Sequence, residues 1–229
     1  MGVDRKRAGF ARLEADVIVV PECAAGSAFS QEEGVSFAWR GRNTMKGLGV
    51  FAFRGWTVEP AVERNPLPWV LPLRLLAPTG AEVALLLAVW TVRQPGSPSY
   101  EEQVAALVSE WDEEIRDGQT IIAGDFNCAA QAANPRKHMA NIAHLRELGA
   151  ASAYHHYNQV EHGAEEEMTL RWIAKGRRVS EFHCDFIFVS RSITPCIAHV
   201  NVGSFQDWIE NGLSDHCPVR AEFGTAQFG

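Results

Sequence analysis

The feature that most limits what this chain can fold into is a series of short apolar runs that end on polar residues. DVIVVP (Asp16–Pro21) leads into Glu22, and TIIAG leads into Asp125 and Asn127. FHCDFIFVS holds Asp185, and LSDHCPV holds Asp215 and His216. Val- and Ile-rich runs of roughly four to eight residues have the length of strands. Val35–Arg40, Gly49–Arg54, Val70–Leu76 and Glu82–Thr91 read the same way, with Pro78-Thr79-Gly80 as turn chemistry between the last two. Met168–Ala174, Phe182–Ser190, His199–Gly203 and Pro218–Phe223 are late strands by the same reading.

Three stretches read as helices. The first is Arg5–Ala15. In the second, Ser99 and Glu102 make a capping-box pattern, Val104, Leu107, Val108, Trp111 and Ile115 follow at helical spacing, and Gly118 stops it. The third is Arg136–Leu148, before Gly149. Many strands around few helices predict an α+β fold, two mixed β-sheets packed as a sandwich with flanking helices. At 229 residues, one domain spanning 1–229 is expected, without repeat or linker.

Composition narrows the partners. A net charge of −7 weakens a reading as a tight, non-specific nucleic-acid binder and leaves room for a local basic groove. There is no apolar run of about 18 residues, so no membrane span is expected. MGVDRKRAGF has no apolar stretch after its basic residues and does not read as a signal peptide. Five cysteines without a CxxC pair predict reduced thiols and a cytoplasmic protein. Four of them, Cys23, Cys128, Cys184 and Cys217, each adjoin a motif residue. Neighbours in extended chain face opposite ways, so thiols facing the core are expected rather than a zinc cluster.

Carboxylates, an amide and an imidazole at strand ends suit metal-assisted phosphoryl chemistry. Mg²⁺ takes oxygen ligands. A carboxylate beside an imidazole favours the imidazolium, which can meet an anionic phosphate. A second carboxylate can serve as base. Each motif alone is weak, since GDFN could be a turn and SDH a helix cap. Their joint occurrence in this order carries the reading.

The ordered set resembles the endonuclease/exonuclease/phosphatase superfamily, which includes DNase I, exonuclease III and inositol-polyphosphate phosphatases. The resemblance runs from DVIVVPE through KGLGVF (46–51), LLAVWT and GDFN to Thr169, Trp172, His183–Phe186 and Ser214–Pro218. It implies a DNase I-like sandwich and a phosphoesterase using Mg²⁺ or Mn²⁺. It implies Glu22 as metal ligand, with Asp215 on the metal or water side. Asp125 would orient or deprotonate the attacking water, and Asn127 would hold Asp125 or a phosphate oxygen. His216 would contact the scissile phosphate, with Asp185 holding its ring.

Two departures stand out. Members of that superfamily usually begin with a strand ending in an Asn that helps bind the metal, and here the first helix follows Met1-Gly2 almost directly. A mis-assigned start that omits this strand is the expectation. Trp90 or Thr91 stands where several relatives carry a phosphate-contacting His or Tyr. Trp90 donates only through its indole, so it is either a stacking platform for a base or sugar, or a core residue.

Trp90, Trp172 and Arg42 are the candidate substrate contacts. Arg136 and Lys137, at a helix start, face either phosphate or solvent. Arg177-Arg178 reads as a surface turn. Glu165-Glu166-Glu167 with His155, His156 and His162 lies in a polar stretch without ligand spacing, which predicts a solvated loop. The expected protein is a monomeric metal-dependent phosphodiesterase acting on DNA or RNA. The alternatives are a phosphatase on a small metabolite or lipid head group, and a non-catalytic binder of phosphate ligands.

Overall fold

The computed structural model describes residues 3–173 and 179–224; the expected Arg177-Arg178 turn lies outside them, as does Ala174 at the end of an expected strand. Helix α1 (Val3–Leu13) precedes β1 (Val17–Cys23), β2 (Ser36–Asn43) and β3 (Lys46–Ala52). Then come β4 (Thr57–Pro60), β5 (Val70–Leu76) and β6 (Glu82–Trp90). Helices α2 (Tyr100–Glu110) and α3 (Asp112–Asp117) lead to β7 (Thr120–Asp125), α4 (Arg136–Glu147), β8 (Ala151–Ser152) and α5 (Ala153–Asn158). The last strands are β9 (Leu170–Ile173), β10 (Val179–Phe182), β11 (Asp185–Val189), β12 (Ile197–Val202) and β13 (Val219–Phe223).

Six strands form one sheet in the order β4-β5-β6-β7-β11-β8. It is mixed, because β6 and β7 run parallel while its other pairs are antiparallel. A parallel pair needs a crossover, and α2 with α3 supplies it. The facing layer holds an antiparallel sheet β1-β3-β2 and the antiparallel pair β12-β13. A two-stranded hairpin of β9 and β10 stands apart.

Three apolar clusters hold these layers together. Leu71, Leu73, Leu86 and Ile121 pack against Leu48 and Val50 between the two sheets. Leu107, Val108, Leu145, Phe126 and Phe186 seal the helices onto the outer face of the six-stranded sheet. Phe10, Phe29, Phe51, Tyr154 and Trp208 seal the other outer face. The result is the expected sandwich with flanking helices, in four layers.

Some boundaries differ from expectation. The long helix after Ser99 breaks at Trp111, whose φ of −112° and ψ of 21° leave helical space. The expected strand Phe182–Ser190 divides between β10 and β11, because Cys184 bends away to donate its N–H to Thr169 Oγ1. The stretch around His155 is not a solvated loop: it holds α5, and His155 and Glu165 are buried at 7% and 6% exposure.

One gap interrupts the facing layer. A cleft of about 470 Å³ separates Val17–Val19 of β1 from Val219–Ala221 of β13, with Leu75, Leu86 and Ile121 of the opposite sheet as its floor. The edges of β1 and β13 that face it pair with no other strand among the described residues.

Candidate active site

The site sits where β6, β7 and β11 end together. Asp125 closes β7 and is paired in register with Asp185, the first residue of β11, on one side and with Trp90, the last of β6, on the other. Strand pairing alone therefore brings GDFN, LAVW and CDFIF to one edge. Gly124, just before Asp125, has φ 142°, and a Cβ there would lie 2.0 Å from Val89 O. Only glycine lets β7 approach β6 this closely at the site.

Asp125 is buried and accepts two bonds from one residue, Asn127 N to Oδ1 at 2.8 Å and Asn127 Nδ2 to Oδ2 at 2.7 Å. The same amide reaches Thr91 O at 3.0 Å. Asn127 is bent into left-handed space, φ 50°, where Asn is tolerated better than most residues. Burial, then the charge of Asp185, raises the Asp125 carboxyl to about 7, against the His216 charge and the two Asn127 bonds.

His216 Nδ1 lies 2.8 Å from Asp185 Oδ2. Burial pulls the imidazole down, but the Asp185 charge and hydrogen bond, with Asp125 and Asp215 behind them, raise it to about 10. The ring is thus an imidazolium at neutral pH, donating to Asp185. Thr169, wholly buried, ties this arrangement together. Its Oγ1 accepts from the N–H groups of Cys184 and Asp185, and its carbonyl accepts from Cys217 N. Ligand atoms of Asp125, Cys184, Asp185 and His216 all lie within 4.8 Å of one another.

Glu22 and Asp215 stand outside that cluster. Glu22 is exposed at a register break near the end of β1, in left-handed space with φ 59°. Such a conformation is uncommon for Glu and marks strain that the surroundings must hold. Its carboxylate meets Lys46 Nζ at 2.7 Å, and the same ammonium lies 5.5 Å from the Trp90 ring centre. Lys46 thus links Glu22 to Trp90, a partner that sequence reasoning did not single out. The signal was available in part, since Lys46 opens the KGLGVF strand that pairs with β1. Asp215 is exposed beside His216, and its carbonyl accepts from Arg171 N.

A cavity of about 400 Å³ is lined by Arg40, Arg42, Lys46 and Trp90. Trp90 is half-buried, packing against the core between the sheets while also lining this cavity, with Lys46 over its ring. Arg42 is held by Gln94 at 2.8 Å, whereas Arg40 is committed to Glu63 and the Val70 carbonyl. Trp172 is 55% exposed on the β9–β10 hairpin, apart from the carboxylate cluster and flanked by exposed Ile173 and Val179. Lys137 does not face the site, being paired with Glu102 at 2.9 Å. Cys23, Cys128, Cys184 and Cys217 are all buried, but strand alternation is not the reason throughout, since Glu22 and Asn127 have left-handed backbone and the Cys184 thiol lies beside Asp185.

Asp125, Asp185 and His216 belong to a group of side chains that could hold a metal ion. Glu22 and Asp215 are exposed carboxylates, and Glu22 is paired with the Lys46 ammonium.

No protein-family model matches the chain, and no curated protein matches it by sequence. Solved structures do match. A 3′ phosphatase, NExo, from Neisseria, bound to product DNA hairpin, aligns over 97% of this chain and 95% of its own with a TM-score of 0.71 and 19% identity. A 3′-5′ exonuclease from Neisseria meningitidis aligns over 97% and 96% with a TM-score of 0.68 and 20% identity. An AP endonuclease from Archaeoglobus fulgidus aligns over 94% and 91% with a TM-score of 0.68 and 13% identity. The fold is that of the DNase I-like endonuclease/exonuclease/phosphatase proteins.

Proposed function

We propose that this chain is a divalent-metal-dependent phosphoesterase that hydrolyses a phosphodiester in nucleic acid. The observation that carries the reading is the Asp125–Asp185–His216 cluster, in which a charged imidazole and a carboxyl near neutrality share one strand edge. Asp125, with a carboxyl at about 7, is matched to taking a proton from water at physiological pH. Asn127 keeps its carboxylate aimed. His216 meets the scissile phosphate and stabilises charge as it develops, and Asp185 keeps that ring charged and oriented. Glu22 and Asp215 would hold Mg²⁺ or Mn²⁺. A bound dication neutralises phosphate charge and lowers the pKa of water.

Arg42 and Trp90 would contact the substrate in the cavity they line, the first through charge and the second by stacking. Trp172 would stack on a base from the hairpin. DNA or RNA is favoured over a small metabolite or lipid head group, because Trp90 lines the cavity next to the Asp125 edge, where an aromatic ring suits a base. The solved structures of this fold include proteins described as an exonuclease, an AP endonuclease and a 3′ phosphatase bound to a DNA hairpin, which supports the same choice.

We infer too that one more strand completes the domain in the cleft between β1 and β13. Five strands in the facing layer would become six, the number in the sheet they cover. Helix α1 is the connection such a strand needs. It leads into β1 and packs Phe10 against Phe29 and Trp208 on the outer face of the facing layer, with Arg7 bonded to Glu32. Its 11 residues span about 16 Å, the length of a five-residue strand. The strand would precede α1 and run parallel to β1, ending near Glu22.

The test of the activity is turnover of bis-p-nitrophenyl phosphate with Mg²⁺ or Mn²⁺, beside His216→Ala. Metal-dependent turnover that falls by ~10²- to 10⁴-fold in the variant is expected. Equal turnover in both proteins overturns the assignment.

A further inference from the structure

The densest group of buried imidazoles in the described chain lies away from the Asp125–His216 cluster, behind β11. His155 on α5 and His162 and Glu165 in the following loop come together there. Their side chains are 7%, 5% and 1% exposed. The rings of His155 and His162 stack with centres 3.5 Å apart, against Phe186 and Phe188. Burying three ionisable side chains among phenylalanines is costly unless something satisfies them.

Hydrogen bonds satisfy only part of the group. His155 Nδ1 pairs with buried Ser152 Oγ at 2.8 Å, which leaves Nε2 facing inward, 2.9 Å from Glu165 Oε1. Glu165 Oε2 accepts from Gln131 Nε2 at 2.6 Å and from Gly163 N at 2.8 Å, so Oε1 is the oxygen turned to the rings. His162 Nδ1 is buried without a hydrogen-bond partner, 3.9 Å from the same oxygen. Two inward atoms, hydrogen-bonded to each other, are thus aimed by bonds made through the opposite atom of the same group, and the third, His162 Nδ1, has no hydrogen-bond partner.

We propose that His155 Nε2, His162 Nδ1 and Glu165 Oε1 form a binding site for a transition-metal dication of the zinc type. Two imidazoles and a carboxylate are a recognised zinc donor set, and an all-oxygen cation such as Mg²⁺ does not suit it. The three ligand atoms already lie within 4.8 Å of one another. Tetrahedral zinc bonds of about 2.1 Å put donors roughly 3.4 Å apart, so the donors must draw together and one of the two stacked rings must turn to bring both nitrogen lone pairs onto one centre. Ser152, Gln131 and the Gly163 amide are the outer partners that orient zinc ligands elsewhere. Burial holds the His162 ring down to about 3, so it is neutral and ready to ligate.

The site's role would be to clamp the loop after α5. That loop ends at Thr169, whose hydroxyl positions the Cys184 and Asp185 amides, and its Glu167 carbonyl accepts from His183 Nδ1 at 2.7 Å. The proposal does not depend on the assigned activity.

The experiment is zinc titration of the metal-stripped full chain by calorimetry, with X-ray absorption at the zinc edge. One Zn²⁺ per chain, a first shell of two imidazole nitrogens and oxygen, and a raised Tm are expected. His162→Ala and Glu165→Gln, each checked for folding by its zinc-free melt, should weaken binding by ~100-fold or more, beyond the loss of an outer partner. His216→Ala should bind zinc as the wild type does. No zinc uptake, a sulfur or all-oxygen shell, or affinity unchanged in folded His162→Ala and Glu165→Gln overturns the proposal. The absorption spectrum of the wild type decides the matter even where both variants fail to fold.

Discussion

The His216 imidazole is pulled two ways, and the outcome sets what it can do. Burial favours the neutral ring, while Asp185 at 2.8 Å favours the charged one and wins, holding the group at about 10. Because the folded value lies above the ordinary 6.5, the pairing stabilises the fold fully below pH 6.5 and loses that contribution as pH rises through about 10. Asp185→Asn removes the nearest charge and leaves burial opposed by Asp125 and Asp215. The His216 proton signals, followed by NMR in the metal-free protein, are expected to titrate near 10 in the wild type and clearly lower in the variant. Titration at the same pH in both proteins would mean that Asp185 is not the cause. Asp125, Asn127, Asp185 and His216 were legible because polar residues at the ends of apolar runs have few packing reasons to be there. Lys46 was not, since its meeting with Glu22 and Trp90 depends on how β3 lies between β1 and β2.

Strands set the site's geometry more than loops do. Asp125 and Asp185 are brought together by the β7–β11 ladder, and the close approach of β7 to β6 rests on Gly124. Gly124→Ala would drive a methyl group to 2.0 Å from the Val89 carbonyl and would force a left-sided φ of 142° on alanine. A loss of about 3 kcal/mol, a fall in Tm of roughly 6–12 °C, is expected from thermal melts. A Tm within a degree or two of wild type would show that the strands separate freely there. The main strands and the capped helix at Ser99 were readable from period and capping chemistry, and the capping box is present as the sequence predicts. Helix α5 was not, because it is six residues long and buries only Ala153, Tyr154 and His155, the last of which reads as polar in a sequence. The break at Trp111 left no mark either, since the helical spacing of Leu107, Trp111 and Ile115 continues across it.

At the scale of the molecule, the fold was legible as a sandwich, while the separation of the facing layer into three and two strands was not. Which strand neighbours which is set by contacts far apart in the chain. Along Val17–Val19 and Val219–Ala221 the facing edges of β1 and β13 pair with no other strand among the described residues, and such edges accept an extended chain. Expressing the protein with its reading frame extended upstream of Met1 tests the proposed sixth strand. A Tm higher by roughly 5 °C or more, with less aggregation in light scattering, is expected. Equal stability of the two proteins, or a stop codon directly before Met1, would remove that strand from the fold.

The pairing of Asp125 with Asp185, and of Asp185 with His216, also governs when the site comes into being. Its groups are drawn from Glu22 to His216, so long-range ladders must close before any of them meet. During synthesis Glu22 and then Asp125 emerge before Asp185 and His216 have been made. On the proposed activity, the nascent chain holds no complete site until its last strands have been made and paired.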